Sequence, residues 1–370
     1  MKSIETSFLE FHEDRGFSTP KPFPLVIDDP TVLFTNATIT PFKSMFAGEV
    51  AFDDFALIQR CLRLGGTGGT VETARTNAEY TSLFNMLGSG YFEVSHEEAL
   101  DYFVDVLDAL GMERKKMIFS SVGAYAIGST LEHSALDSSQ VRIFDNPDEV
   151  QHEWSFGDGD LHGQGIIAWF APQGHEHRPA LSDCLQIGRI VHIDGVSEGE
   201  NVLKFVHTAF DLGLGMSRVE KALTGDNKNS LMPWRSLAEQ FKNTFDGISE
   251  GDAHYMANLC CIVDELISEG LEPGNKKQAY ALRKTIRSLI EETWVQADEL
   301  VGIKDVLNPF IQGSMSGEKL ATILSNEESA LRRVLSQAEA KRRKHTGMTL
   351  DDIHGTFGIK PSLLKLMGDS

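Results

Sequence analysis

Residues 1 to 230 and residues 231 to 370 follow different periodicities, and that break limits the folds open to the chain. In the first stretch short β-patterned runs dominate: Leu25-Val26-Ile27, Val32-Leu33-Phe34, Phe55 to Ile58, Ser82 to Leu87, Lys116 to Phe119, Gly165 to Phe170 and Leu185 to His192. One long helical run, Glu97 to Leu110, interrupts them. Strands and helices that do not alternate disfavour a doubly wound parallel sheet. An antiparallel sheet with flanking helices, an α+β fold, fits them better. Further on, Trp234 to Phe245, Ala253 to Ser268, Asn275 to Trp294 and Gly317 to Lys344 are helical by period and composition. Asn227-Lys228-Asn229 and Pro233 mark a boundary, so the expected domains are 1–230 and an all-helical 231–370. Asp351-Asp352 opens a last short helical segment, with Gly355 and Gly358 expected at turns.

Composition narrows the function classes. The 370 residues are 41% hydrophobic and 24% charged, as in an ordinary globular chain. No apolar stretch is long enough to span a bilayer, and Met1 to Glu5 lacks the apolar core of a signal peptide. Cys61, Cys184, Cys260 and Cys261 form neither a disulfide framework nor a CxxC zinc site, so a cytoplasmic protein without a resident metal is expected. The His175-Glu176-His177 loop reads as exposed rather than metal-binding. A net charge of -20 argues against a broad nucleic-acid surface but leaves room for a local basic patch. Lys276-Lys277 with Arg283-Lys284 and Arg287 is one candidate, and Arg332-Arg333 with Lys341 to His345 is another. Taken alone, either patch reads better as a solvated helix face.

Three segments carry the chemistry. Phe210-Asp211-Leu212-Gly213-Leu214-Gly215-Met216-Ser217-Arg218 joins a β-patterned run, Asn201 to Thr208, to a helical run, Val219 to Leu223. Here Asp211 is expected to end a strand and face a cleft, the glycines to admit a ligand to the backbone, and Arg218 to sit at a helix start, where an anion would offset its unfavourable position in the helix dipole. A plain strand-turn-helix connection with a solvated arginine reads equally well. Gln59 to Gly69 is an arginine-bearing strand running into a glycine-rich loop, with Phe84 to Gly88 following. Arg63 suits a phosphate and Phe84 a base, but the loop lacks the GK[ST] ending of a P-loop. Trp154 to Gly165 is a glycine- and acid-rich loop before a strand, readable as a site for magnesium or an amine, or as a flexible turn.

In this order the segments resemble the catalytic half of the alanyl-tRNA synthetase family, class II aminoacyl-tRNA synthetases. Phe8-Leu9-Glu10-Phe11 is similar to the family's opening helix, and Asp29-Pro30-Thr31-Val32-Leu33-Phe34-Thr35-Asn36-Ala37 to its DPTLLFTNAGM. Arg60 to Gly66 resembles RCVRAGG, Phe84 to Gly88 FFEMLGN, and Asp211 to Arg218 DTGMGLER. Gly270 to Asn275 with Tyr280 to Arg283, and Leu350 to Gly358, resemble the family's helical segments. The match runs colinearly through nearly the whole chain and stops where the family's editing domain would begin.

The resemblance implies an antiparallel sheet that holds ATP, followed by a helical tRNA-recognition domain. The implied reaction joins an amino acid to ATP as an aminoacyl-adenylate and passes the acyl group to tRNA, with Mg2+ assisting. By matching position, Arg63 would hold the α-phosphate and the carboxylate, and Arg218 the γ-phosphate. Phe84 and Met86 would flank the base, and Gly213 and Gly215 would admit the substrate. Asp211 would receive the substrate ammonium and Trp154 would wall its pocket, while Asn275 and Arg283 would read the tRNA. The departures matter as well. The family's Lys after RAGG is Thr67 here, its loop Glu falls near Ile167, its Trp-Asn pair is Gly188-Arg189, its motif-three Glu is Ser217, and an acceptor-reading Asp is Gly355. Arg189 therefore replaces an Asn beside the substrate. Alanine or a similar small amino acid with tRNA is the first expectation. The alternatives are transfer to a carrier protein or small molecule, and a non-catalytic regulatory paralogue.

Overall fold

The computed structural model describes residues 2–65, 70–77, 80–146, 152–156, 161–198, 201–226, 232–344, 349–359 and 363. Contacts divide the chain into one unit of Met1–Leu62 with Phe84–Ser230 and another of Arg63–Leu83 with Leu231–Ser370.

The first unit is built on one sheet. Its strands are β1 (Phe55–Leu62), β2 (Leu83–Phe92), β3 (Met117–Val122), β4 (Val141–Phe144), β5 (Glu153–Ser155), β6 (Leu161–Phe170), β7 (Leu185–Glu198), β8 (Asn201–Lys204) and β9 (Ala209–Gly215). They lie in the order β1-β2-β9-β7-β6-β3-β4, with β5 beside β6 and β8 beside β7. The β2–β9, β9–β7, β7–β6, β6–β3, β5–β6 and β7–β8 pairs are antiparallel, as the sequence reading expected. The outer β3–β4 pair is parallel, which that reading did not anticipate. A short crossover helix, α4 (Ala126–Glu132), connects them after α1 (Ile4–Glu13), α2 (Lys43–Phe46) and α3 (His96–Ala109). Gly128 makes the crossover possible, because a Cβ there would lie 1.8 Å from the Val122 carbonyl oxygen.

Alternation in β9 shows how sequence becomes sheet. Phe210, Leu212 and Leu214 point to one face and join a core with Leu87, Ile166, Ile190 and the buried side of α3, including Leu100, Phe103 and Leu107. Each such side chain contributes about 1.5–3 kcal/mol by leaving water. The Ser95–Glu98 capping box starts α3, and Ser3 caps α1. Beneath α1, His12 Nδ1 donates to the Phe8 carbonyl at 2.6 Å, which makes Nε2 the acceptor of the Tyr102 hydroxyl at 2.7 Å. Ser89 completes the chain on Tyr102. Burial, partly offset by the Phe8 carbonyl, lowers the His12 pKa to about 4.

Some expected strands are shorter or absent. Leu25 to Ile27 and Val32 to Phe34 meet only through a Val26–Phe34 bridge. Asp29 binds the backbone N–H groups of Thr31 and Val32 and turns the chain too tightly for a ladder. Of the run from Asn201 to Thr208 only β8 is strand.

The second unit carries α6 (Met232–Thr244), α7 (Glu250–Ser268), α8 (Lys277–Ala297), α9 (Ile303–Val306), α10 (Asn308–Gly313), α11 (Gly317–Lys344) and α12 (Leu350–Phe357), after α5 (Met216–Thr224) of the first unit. Residues 63–83 group with these helices rather than with 1–230, and Arg75 is the reason. It pairs with Glu72 at 2.7 Å, with Glu292 at 2.6 Å and with Asp252, and its guanidinium lies 3.8 Å from the centre of the Tyr255 ring. The Asp264 carboxylate accepts from Met315 N and Ser316 N at 2.9 and 3.0 Å, fixing the entry to α11. Gly355 lies inside α12 rather than at a turn, whereas Gly358, at φ 70°, stands just past the end of that helix.

Candidate active site

The site is set out by register. In an antiparallel sheet, opposed residues and their neighbours two positions along share a face. Met86 on β2 faces Gly215 on β9. In the next row Gly88, Gly213, Arg189 and Ile167 lie across β2, β9, β7 and β6. Gly90, Asp211, Val191 and Gly165 form the row after that. One step further, Ile193 on β7 faces Gly163 on β6, which faces Trp154 on β5. Asp211, Arg189, Trp154, Met86, Gly213 and Gly215 therefore share one face of the first unit. Phe84, two residues before Met86 on the same strand, joins them.

One end of this face is filled. Ala37, Ile39, Phe46, Phe55, Phe156, Val191 and Ile193 form an apolar cluster, with Met86 and Trp154 packed on its margin. Toward the other end Arg189, Gly213, Gly215 and Met86 are half-exposed and Arg218 is exposed. Asp211, only 6% exposed, marks the border. A buried carboxylate beside an open floor suits an ammonium ligand, because a charge-assisted hydrogen bond gains strength in a low-dielectric setting.

Two expectations about this segment change. Asp211 does not end its strand; it is the third residue of β9, which runs on through both glycines and passes into α5 without a loop. The glycines first serve the chain's own side chains. A Cβ at Gly213 would lie 3.2 Å from the Met86 sulfur, and one at Gly215 would lie 3.3 Å from Arg218 Cδ. Met86 and Arg218 can thus lie flat on the floor. Arg218 is the third residue of α5, and its Nη1 donates to the Gln186 carbonyl at 3.3 Å.

Arg63 follows β1 directly but groups with the helical unit, where its N–H donates to the Ser82 carbonyl at 2.8 Å. Burial pushes the Tyr80 phenol up while the Arg63 charge pulls it down. Asn275 and Arg283 meet in that unit through a hydrogen bond. Arg283 also pairs with Glu327 at 3.0 Å, as does Arg287 at 3.3 Å, so these two cations stabilise α8 against α11 and do not form an open basic patch. Arg332 is likewise engaged by Glu328 and by the Leu300 and Val301 carbonyls. Arg342, Arg343 and Lys344 at the end of α11 are exposed. A cavity of about 570 Å³ at the N-terminal half of α11 is lined by Glu272, Glu318, Lys319 and Glu327 among others. Its carboxylates make it unsuited to a phosphate. Thr67, Gly66 to Gly69 and Gly157 to Asp160 lie outside the described residues. Among the described residues no group of three or more His, Cys, Asp or Glu side chains is placed to hold a metal ion, and no helix is long and apolar enough to cross a membrane.

A family model described as tRNA synthetases class II (A) matches residues 3–295. The chain belongs to the class II tRNA synthetases. It is 24% identical over 311 residues to an alanine--tRNA ligase of Wolinella succinogenes, covering 79% of this chain and 36% of that protein. It is 23% identical to the alanine--tRNA ligase of Rhizobium meliloti, covering 93% and 40%. It is 25% identical to that of Nitrosospira multiformis, covering 97% and 46%. The chain thus spans less than half the length of these relatives.

Seen as a class II site, the face rests on residues that sequence reasoning missed. Thr38 Oγ1 lies 3.2 Å from the Met86 sulfur and fills the space where a Cβ of Gly88 would stand, 2.0 Å away. Lys43 ties Asp29, at 2.7 Å, to the ring of Phe156, 5.4 Å from its centroid, and Phe156 lies 5.8 Å from Trp154. The signal for Thr38 was the glycine inside a strand at position 88, a mark of close approach.

Proposed function

We propose that this chain condenses an amino acid with ATP to an aminoacyl-adenylate and transfers the acyl group to tRNA. The observation that carries the reading is the single run of β9 into α5. It sets a buried carboxylate, two glycines and an arginine along one open floor beside Met86 and Phe84. Family membership and the alanine--tRNA ligase relatives support it.

In this reading Asp211 binds the ammonium, Trp154 closes the amino acid side, Phe84 and Met86 flank the adenine, and Arg218 meets the triphosphate. Arg63 carries its phosphate role from its motif, and Asn275 and Arg283 their RNA role from theirs. The floor fits a nucleotide, since its glycines keep it flat and its cation is exposed. Mg2+ would enter with ATP, bound largely through phosphate oxygens and water, and no protein ligand is assigned to it. Attack of the carboxylate on the α-phosphate needs alignment and charge neutralisation rather than a covalent catalyst.

The test is amino-acid-dependent exchange of labelled pyrophosphate into ATP over a panel of amino acids, followed by charging of total tRNA. Exchange with subsequent charging is expected. Exchange without charging would remove tRNA as acceptor, and no exchange with any amino acid would remove the activation step.

A further inference from the structure

We infer that Asn258 is a positioning residue for Arg63, bracing the arginine's backbone against helix α7; the inference rests on the reading of Arg63 as the phosphate ligand of the activation step. Asn258 lies within α7 and is 1% exposed. Its Oδ1 accepts from the Ser82 N–H at 3.2 Å, and the Ser82 carbonyl accepts from the Arg63 N–H at 2.8 Å. Arg63 directly follows β1 and Ser82 directly precedes β2. The two bonds therefore close the segment between these strands at its base and tie that base to the helix. Arg63, Ser82 and Asn258 all belong to the second unit.

Stability alone does not account for an asparagine here. Its Nδ2 is buried and has no hydrogen-bond partner among the described residues. A buried donor left unsatisfied costs at least as much as one neutral bond to Oδ1 returns, so an apolar side chain would serve the packing as well. What Asn258 supplies is an acceptor at a fixed place, next to the rung that holds Arg63. The same helix grips the segment at a second point. Arg75 pairs with Asp252 of α7, and a Cβ on Gly251 would lie 2.0 Å from the Arg75 carbonyl oxygen. Without Asn258 that second grip remains, but the base carrying Arg63 is released. A long side chain is aimed only as well as its own backbone is held. A displacement of about 1 Å in a group that neutralises transition-state charge costs on the order of a hundredfold in rate.

The experiment uses the full chain well below its melting temperature and compares Asn258→Ala, Asn258→Asp, Arg63→Lys and the Ala/Lys double variant. Pyrophosphate exchange gives kcat and the KM for the amino acid. Amide hydrogen exchange reads the Ser82 and Arg63 N–H groups directly. Asn258→Ala should lower kcat about tenfold or more, leave that KM within about twofold, and strip protection from both amides. Asn258→Asp keeps the acceptor and should restore protection and most of kcat. Added to Arg63→Lys, the alanine substitution should cost less than about twofold further, because both changes act through one group. A kcat within about twofold of normal in Asn258→Ala, or losses that multiply in the double variant, overturns the inference. If no amino acid supports exchange, or Arg63→Lys exchanges normally, the activation role of Arg63 falls instead. Amide exchange alone then judges Asn258: lost protection at Arg63 upholds the brace, and unchanged protection ends it.

Discussion

Burial of the Asp211 carboxylate is costly, and the proposed contact with a substrate ammonium would offset part of that cost. A carboxylate that is 6% exposed on a sheet floor is retained against the general preference for apolar residues at such positions. Asp211→Asn keeps the shape and removes the charge, so exchange should fall about a hundredfold while the melting curve stays nearly unchanged; a variant with normal exchange would detach this residue from the ammonium. The glycines divide by what fills their space. At Gly88 a Cβ would meet Thr38 atoms at 2.0, 2.4 and 2.5 Å, so Gly88→Ala should cost about 1–3 kcal/mol in urea unfolding. At Gly213 the nearest atom is a flexible methionine sulfur 3.2 Å away, so Gly213→Ala should be mild in stability and act chiefly on the KM for ATP. Sequence motifs named Asp211, Met86, Arg189 and Arg218. Thr38 was signalled only indirectly, by the in-strand glycine at position 88, and Lys43 not at all, because their roles arise from chain segments far apart in sequence that only the sheet brings together.

At the level of elements, the long helices and the strands of high apolar content were readable from periodicity, since burial on a fixed face imposes the period. Among the segments that escaped are β4, β5 and the parallel β3–β4 crossover, where three or four residues carry too little pattern to read. The placement of residues 63–83 escaped for a different reason: it depends on Arg75, whose partners lie about two hundred positions away. Glu292 is a buried partner in that cluster, so Arg75→Met should destabilise the helical unit by about 3 kcal/mol. Hydrogen exchange should then show lost protection at Val71–Arg75 and in α7; unchanged protection there would make Arg75 a bystander. Buried histidines on α1 and β7 make the pH prediction. Both His12 and His192 have pKa values lowered to about 4, chiefly by burial, against an ordinary 6.5. The unfolded chain binds these protons first, so stability is full above about pH 6.5 and falls progressively toward pH 4. A shift of this size is worth up to about 3 kcal/mol per histidine. His12→Gln should flatten the loss of urea stability over that window, and an unaltered slope would assign the loss to other groups.

For the whole molecule, charge is unevenly divided along the chain. Residues 1–230 carry 17 Lys and Arg against 34 Asp and Glu, whereas residues 231–370 carry 17 against 20. A polyanion is repelled by the first stretch more than by the second, and the exposed cations at the end of α11 offer a local positive site on the second. Arg342→Glu with Arg343→Glu should weaken tRNA binding and reduce its salt dependence, leaving pyrophosphate exchange intact. Equal binding by the doubly substituted protein would move the RNA to another surface. Net charge and the loss of the usual acceptor-reading Asp at Gly355 left this question open in the sequence, because a total of -20 hides where the positive groups are exposed.

The unbroken passage from β9 to α5 has one more consequence. Asp211 and Arg218 are separated by a contour of about 18 Å, set by strand and helix rise and interrupted by no hinge. The two groups act as the marks of a fixed gauge. In the proposed reaction a ligand would be measured by the span from its cation to its anions, and a molecule of the wrong length would fail at both ends together.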